Sequence, residues 1–425
     1  MDEATFLQSI LNAPQDDYPR LMYADWLEEH DQYDRAELIR VQIALEGLDI
    51  DAPNRADLED RQHDLLSGGA ARRPASLPIS VQIRHTRGLP GEVSLHLDEF
   101  FADPKAIWQI GPIHALELIG TSRQDFLSGR TSGILLGDLV RLMSQFVRLP
   151  ELQRLQRLSF QGLPLTDEGL TILCESPHLT QLTELRLANA RVSTEGILTL
   201  MRSPIFQRLH TLELRQNPLG DSGLASIATR RELEQLRALR LWTCNLSEDG
   251  CAALAASPFL TGIRELQVRD PIGDAGLAAL LAAPSMRNLQ QLSIAWSNIG
   301  PEGIRALAQS RVLGQLQSLS LVGHRLDTES IAALTGSGQM RPMRRLELSQ
   351  LELPPEAALV IANEPTLAGL RELNLTVNRL GFPGAQAIAN SPYLNRLLRL
   401  WLSDNGIGTP GWSVLRDRFG RRLAF

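Results

Sequence analysis

An eleven-position pattern, L-x-x-L-x-L-x-x-N-x-L, recurs ten times in register, and this periodicity constrains the fold more than any other property of the chain. The clearest copy runs Leu209-His210-Thr211-Leu212-Glu213-Leu214-Arg215-Gln216-Asn217-Pro218-Leu219. Copies begin at Leu155, Leu182, Leu209, Leu236, Ile263, Leu289, Leu316, Met343, Leu370 and Leu397, each 27 residues from the last except for one spacing of 26. A helix-start signature follows at fixed offset, as in Thr166-Asp167-Glu168-Gly169, Ser193-Thr194-Glu195-Gly196 and Gly273-Asp274-Ala275-Gly276. Ser, Thr or Gly at the N-cap, then an acid or proline in the first turn, satisfies the free amides and the dipole of a helix start. Apolar stretches such as Leu277-Ala278-Ala279-Leu280-Leu281 continue the helix, and Ser-Pro pairs such as Ser203-Pro204 and Ser257-Pro258 end it. Each unit therefore reads strand, turn, helix, loop. A unit this small cannot bury its apolar face alone, so it must stack on its neighbours.

Length alone, at 425 residues, would suggest two to four ordinary domains. The 77 leucines, set against 5% aromatic residues, indicate instead one packing unit used many times. With 43% apolar and 21% charged residues the chain is neither disordered nor collagen-like. No apolar run approaches the roughly 18 residues a membrane-spanning helix needs. The start Met1-Asp2-Glu3 is acidic where an export signal would be basic, so a cytoplasmic protein without membrane association is expected. Cys174, Cys244 and Cys251 are too few and too irregular for a disulfide framework or zinc site, and are expected as buried or half-buried thiols. A net charge of −7 argues against a general nucleic-acid binder. The charge is uneven: residues 1–84 hold 17 acids and 8 arginines, a net of −9, which leaves +2 for the rest. Lys105 is the sole lysine among 42 basic residues, a bias that looks like GC-rich codon usage, so arginine abundance by itself carries little functional weight.

The ten-copy pattern over residues 155–411 resembles the leucine-rich repeat family, in particular its ribonuclease-inhibitor-like class with a full helix per repeat. The resemblance implies an α/β fold: a right-handed horseshoe solenoid with a parallel sheet inside and helices outside. The family favours Asn or Cys at the ninth position, and Asn217, Cys244, Asn378 and Asn405 comply while Leu163, Ala190, Ser297, His324 and Leu351 do not. The repeat at Ile263 is one residue short there, at Asp270-Pro271, and an irregular turn is expected.

Two degenerate units are expected as an N-terminal cap over 89–154. One strand is read at Gly91–Leu97 and another at Ile113–Leu118, a helix at Asp98–Gln109, and an apolar helix at Ile134–Val147 beyond the Gly/Ser-rich stretch Thr121–Gly133. The C-terminal cap, 412–425, should hold a last helix at Trp412–Phe419 and a closing strand. Upstream, residues 1–68 read as a small all-helical module, with 69–88 as a linker. The elements Tyr23-Ala24-Asp25-Trp26-Leu27-Glu28-Glu29 and Arg35-Ala36-Glu37-Leu38-Ile39-Arg40-Val41-Gln42 resemble the short repeat-companion domain found at the start of bacterial repeat proteins, notably in planctomycetes. That family implies association with repeats and no assigned chemistry. Trp26, four residues after Met22 and five after Leu21, is read as module core, with a docking epitope as the alternative.

No metal or phosphate-binding motif is present, and no cofactor is expected. Gly129-Arg130-Thr131-Ser132-Gly133 looks superficially like a nucleophile elbow, but its serine is one position too late. The sharper signal comes from strand alternation, which sends the fourth and sixth positions inward and the third, fifth and seventh onto the concave sheet. The seventh-position ladder has Arg215, Trp242 and Arg269 at its centre, the fifth has Arg186 and Arg240, and Trp296 sits at a nearby eighth position. Arginine and tryptophan dominate binding hot spots, so these six residues form the candidate binding surface for a protein partner. A self-contained ladder, with Arg215 and Arg269 stacked on Trp242 and paired with Glu213, is the bland alternative. Two further functions stay open: a scaffold whose acidic module makes the functional contact, and, more remotely, a hydrolytic enzyme using His210. The charge split also suggests intramolecular docking of the acidic module on the basic patch.

Overall fold

The computed structural model describes residues 2–49, 52, 54–70, 77–78, 80–120 and 136–424. Gly129–Gly133 and the stretch Thr121–Gly133 lie outside the described residues, as does part of the expected linker. The chain divides into two compact units, Met1–Ala190 and Arg191–Phe425.

The first unit begins with four helices, α1 (Glu3–Asn12), α2 (Tyr18–Glu29), α3 (Tyr33–Gly47) and α4 (Arg55–Gly68). Phe6, Ile10, Tyr23, Ala24, Leu27, Ala36 and Ile39 form the core between α1, α2 and α3, with Trp26 half-buried against it. This shifts the phase of α2 from the sequence reading. Leu21 and Met22 are exposed, because the buried line of a 3.6-residue helix here runs Arg20, Tyr23, Ala24, Leu27. Tyr23 can enter the core because its hydroxyl is satisfied: it donates to the Glu3 carboxylate at 2.5 Å and accepts from Arg35 at 2.7 Å.

The stretch read as a linker over 69–88 contains a strand. β1 (Gln82–Thr86) pairs antiparallel with β2 (Leu89–His96) across a two-residue turn. Arg87 and Gly88 both have positive φ, 49° and 80°, as a tight hairpin of this hand requires. The turn docks on the helical module: the Gly88 N–H donates to Gln42 Oε1 at 2.6 Å, and a Cβ on Gly88 would lie 2.3 Å from the Ile39 backbone. Leu89 completes the module's core, and Arg87 binds the Glu46 carboxylate. Helices α5 (Leu97–Ala102) and α6 (Pro104–Gln109) follow, then β3 (Ala115–Ile119), a helix at Leu136–Phe146, β4 (Arg157–Gln161), a helix at Thr166–Cys174 and β5 (Glu184–Ala188). β2 through β5 pair in parallel, in sequence order.

The second unit repeats one layer. Its strands are β6 (Thr211–Glu213), β7 (Ala238–Trp242), β8 (Glu265–Arg269), β9 (Gln291–Ala295), β10 (Ser318–Val322), β11 (Arg345–Glu347), β12 (Glu372–Asn374), β13 (Arg399–Trp401) and β14 (Leu423–Ala424), all parallel to their neighbours. Equivalent positions pair directly, for example Leu239 with Leu266 and Leu319 with Leu346, so the sequence register is the structural register. The fourth and sixth positions of each strand are buried, as are leucines at the first position. A helix follows each strand from β6 to β13, from Gly220–Ala228 to the terminal Gly408–Phe419, and packs on the next helix along. Cys244 and Cys251 are buried and Cys174 half-buried. Burial pushes both buried thiols up to about 12, which keeps them protonated and inert.

Candidate functional site

The turn after each strand fixes what the sheet face can present. The eighth position is left-handed in nearly every repeat, at Gly162, Asn189, Gln216, Thr243, Trp296, Gly323, Gln350, Val377 and Asp404. The ninth then points inward, and at Asn217, Cys244, Asn378 and Asn405 it bonds the preceding layer. Asn378 Oδ1 accepts the N–H groups of Leu351 and Leu353 at 3.0 and 3.1 Å, while its Nδ2 donates to Leu348 O at 2.8 Å. His324, which departs from the Asn/Cys preference, performs the same task. Its Nδ1 accepts from Ile299 N–H at 3.3 Å and its Nε2 faces Ile294 O at 3.0 Å, an arrangement that requires the neutral ring. Burial holds its pKa below the ordinary histidine value.

In the shortened repeat the missing residue is the left-handed eighth one. Asp270 thereby takes the ninth-position role, accepting from Cys244 N–H at 3.0 Å and Leu246 N–H at 3.2 Å. The turn keeps the Ile272 N–H to Asp270 O bond at 2.7 Å, the equivalent of Leu219 to Asn217 at 2.9 Å. The irregularity expected there is confined to the deleted residue.

On the sheet face of the second unit, most charge is internally balanced. Arg240 lies between Glu265, at 2.7 Å, and Glu213, at 3.6 Å. Arg345 and Arg399 share Glu372 at 3.3 and 3.8 Å. The two third-position acids escaped the sequence reading, although Glu265 and Glu372 stand 107 residues apart at the same repeat position. Within the first unit Arg186 is treated likewise. It pairs with Glu184 at 2.6 Å, and Arg157 bridges Glu184 and Glu92 at 2.8 and 3.0 Å. Burial opposes ionisation of Glu184, but the two guanidinium groups outweigh it and hold its pKa below the usual carboxylate range.

Arg215 stacks over the Trp242 ring, 5.1 Å from its centroid, a contact worth roughly 0.5–1 kcal/mol at an exposed site. Among the described residues, no carboxylate lies within ion-pair distance of Arg215 or Arg269. The bland alternative is thus half met: Arg215 stacks on Trp242, but Glu213 pairs with Arg240 rather than with Arg215. Trp242, Arg269 and Trp296 line one depression of about 560 Å³, floored by Gln267, Ser293 and Ser320. Trp296 is 48% exposed, one face of its indole resting where a Cβ on residue 323 would fall, 2.4 Å from Cδ2. Five of the six candidate residues therefore lie in the second unit, and Arg186 lies in the first. Among the described residues no group of three or more His, Cys, Asp or Glu side chains could hold a metal, and His210 is exposed. Among the described residues no helix is long and apolar enough to cross a membrane.

Strand, left-handed turn, inward-pointing ninth side chain and helix make up the layer of a leucine-rich repeat solenoid. A profile of the Leucine Rich repeat family matches residues 207–228, 285–308 and 370–389. None of the curated proteins compared with the chain matches it in sequence. Among solved structures, it is similar to an internalin (inlF) from Listeria monocytogenes, at 17% identity over 78% of this chain and 85% of that one, with a TM-score of 0.39. It is also similar to a structure of the Rad7 and Elc1 complex from yeast, at 18% identity over 69% of this chain and 76% of that one, with a TM-score of 0.40.

Proposed function

We propose that this protein is a non-catalytic recognition module that binds a protein partner on the sheet face of its repeats, the concave face implied by the family resemblance. One observation carries the reading: Trp242, Arg269 and Trp296 meet at one open depression, while Arg240 on an adjoining rung is consumed by its own carboxylates. Each rung is held by its neighbours, so binding orders little and loses little entropy. Arg215 extends the surface through its stack on Trp242, and Arg240 contributes as its charged, internally braced part; Arg186, also of the predicted set, is braced by Glu184 on the sheet face of the first unit. The same reading takes the chain as bacterial and cytoplasmic, with ribonuclease-inhibitor-like repeats over 155–411 and a repeat-companion module over 1–68. The motifs quoted from the sequence support that part.

A second reading is favoured by the exposed face of α2, where Tyr18, Leu21 and Met22 at helical spacing are 67, 37 and 40% exposed. Deleting the module would not discriminate, since it would strip Leu89 of its core. Surface substitutions do. In quantitative affinity capture from native cells, full-length Arg269→Ala/Trp296→Ala should lose the partner and Leu21→Glu/Met22→Glu should retain it. The reverse outcome would transfer the function to the module.

A further inference from the structure

The two arginines left without a carboxylate also describe a ligand. We infer that the sheet face of the second unit takes an extended acidic segment of a protein partner, its two carboxylates held by Arg215 and Arg269. This rests on the sheet-face reading above and adds the chemistry of what is bound.

On this face the other arginines are paired, Arg240 with Glu213 and Glu265, Arg345 and Arg399 with Glu372, while Glu347 accepts from Ser320, Ser349 and Asn374. Arg215 and Arg269 occupy equivalent rungs on either side of Trp242, whose Cα pairs with that of Arg269. A guanidinium fork matches a carboxylate with two parallel hydrogen bonds. Neighbouring rungs are about 4.8 Å apart, so the backbone positions of Arg215 and Arg269 are separated by roughly 10 Å, a span their flexible side chains can adjust. A polyproline-like segment advances about 3.1 Å per residue with three residues per turn, which puts acids at i and i+3 on one side about 9 Å apart. An apolar side chain between them would enter the depression beside the exposed Trp296. A nucleic acid fits less well. Five arginines face four glutamates here, a net of one positive charge, and a polyphosphate running over them would also meet Glu265 and Glu347, which line the same depression.

The test uses full-length protein and fluorescence anisotropy with a labelled, capped peptide, Ala-Glu-Leu-Pro-Glu-Ala. Controls are its Gln-for-Glu counterpart and a short single-stranded oligonucleotide. The acidic peptide should bind, the Gln peptide should bind at least about tenfold more weakly, and Arg269→Gln should weaken the acidic peptide by at least about tenfold without moving the melting midpoint. No binding of the acidic peptide to folded protein would overturn the inference, as would equal affinity for the Gln peptide, indifference to Arg269→Gln, or tighter binding of the oligonucleotide. The underlying reading fails separately. A captured partner lost with Arg269→Ala/Trp296→Ala but not displaced by the acidic peptide leaves sheet-face recognition standing and removes the acidic ligand. Arg269-dependent peptide binding with partner capture intact in that variant does the opposite.

Discussion

His324 and Trp296 show how far single residues depart from the repeat consensus without breaking it. His324 replaces the ninth-position amide only while neutral, because a proton on Nδ1 would face the Ile299 N–H inside the core. Its folded pKa is depressed and the unfolded value is about 6.5, so its stabilising contribution is complete above that pH and is lost as pH falls below it. His324→Asn restores the amide. The variant should therefore gain stability relative to the parent as pH is lowered from about 7.5 to about 5, read from paired urea unfolding curves. A constant difference across that range would contradict this account. The residue at 323 has φ 72° and supports the Trp296 indole. Gly323→Ala should cost about 1–2 kcal/mol and displace the indole, seen as a change in tryptophan emission. The sequence reading located Trp296 by position, but the left-handed turn that exposes it was not legible. Only glycine or asparagine announces that conformation, and Trp does neither.

At the scale of the element, the helix starts were readable but their partners were not. Asp221 sits in the first turn of its own helix, Gly220–Ala228, where an acid is expected. It also reaches the next layer: it accepts from Ser247 N–H at 2.8 Å, Ser247 Oγ at 2.6 Å and Gly250 N–H at 3.0 Å. Burial acts against its ionisation, but these bonds prevail and hold its pKa below the usual aspartate value. Asp221→Ala should thus destabilise the following repeat by about 1–2 kcal/mol, and hydrogen exchange should quicken first around Ser247–Gly250. Exchange that quickens only within residues 220–228 would contradict the inter-repeat cap. Asp270→Ala removes the acceptor of two buried N–H groups and should cost about 2–4 kcal/mol, whereas Asp270→Asn should be far milder. The hairpin at β1 was missed because Val81-Gln82-Ile83-Arg84 alternates over too few residues, and its turn is stabilised by contacts with α3 that no local pattern records.

At the largest scale, the register of the regular repeats within the second unit was legible, since a near-constant period of 27 with inward leucines leaves one way to stack the layers. The charge pattern on the resulting face was legible only in part. A single ladder position can be read along the chain, but which arginine finds which acid depends on diagonal neighbours across strands, as Arg240 does with Glu265. That pairing reduces six candidate residues to an open group around Trp242, Arg269, Arg215 and Trp296. The central claim is that this group exists for a partner rather than for the fold. It is tested most directly by measuring partner affinity and unfolding free energy together for full-length Arg215→Ala/Trp242→Ala. Loss of binding with stability changed by no more than about 2 kcal/mol is the expected result, because Arg215 and Trp242 are half-buried on the sheet face rather than core residues. Undiminished binding by the folded double variant would contradict it.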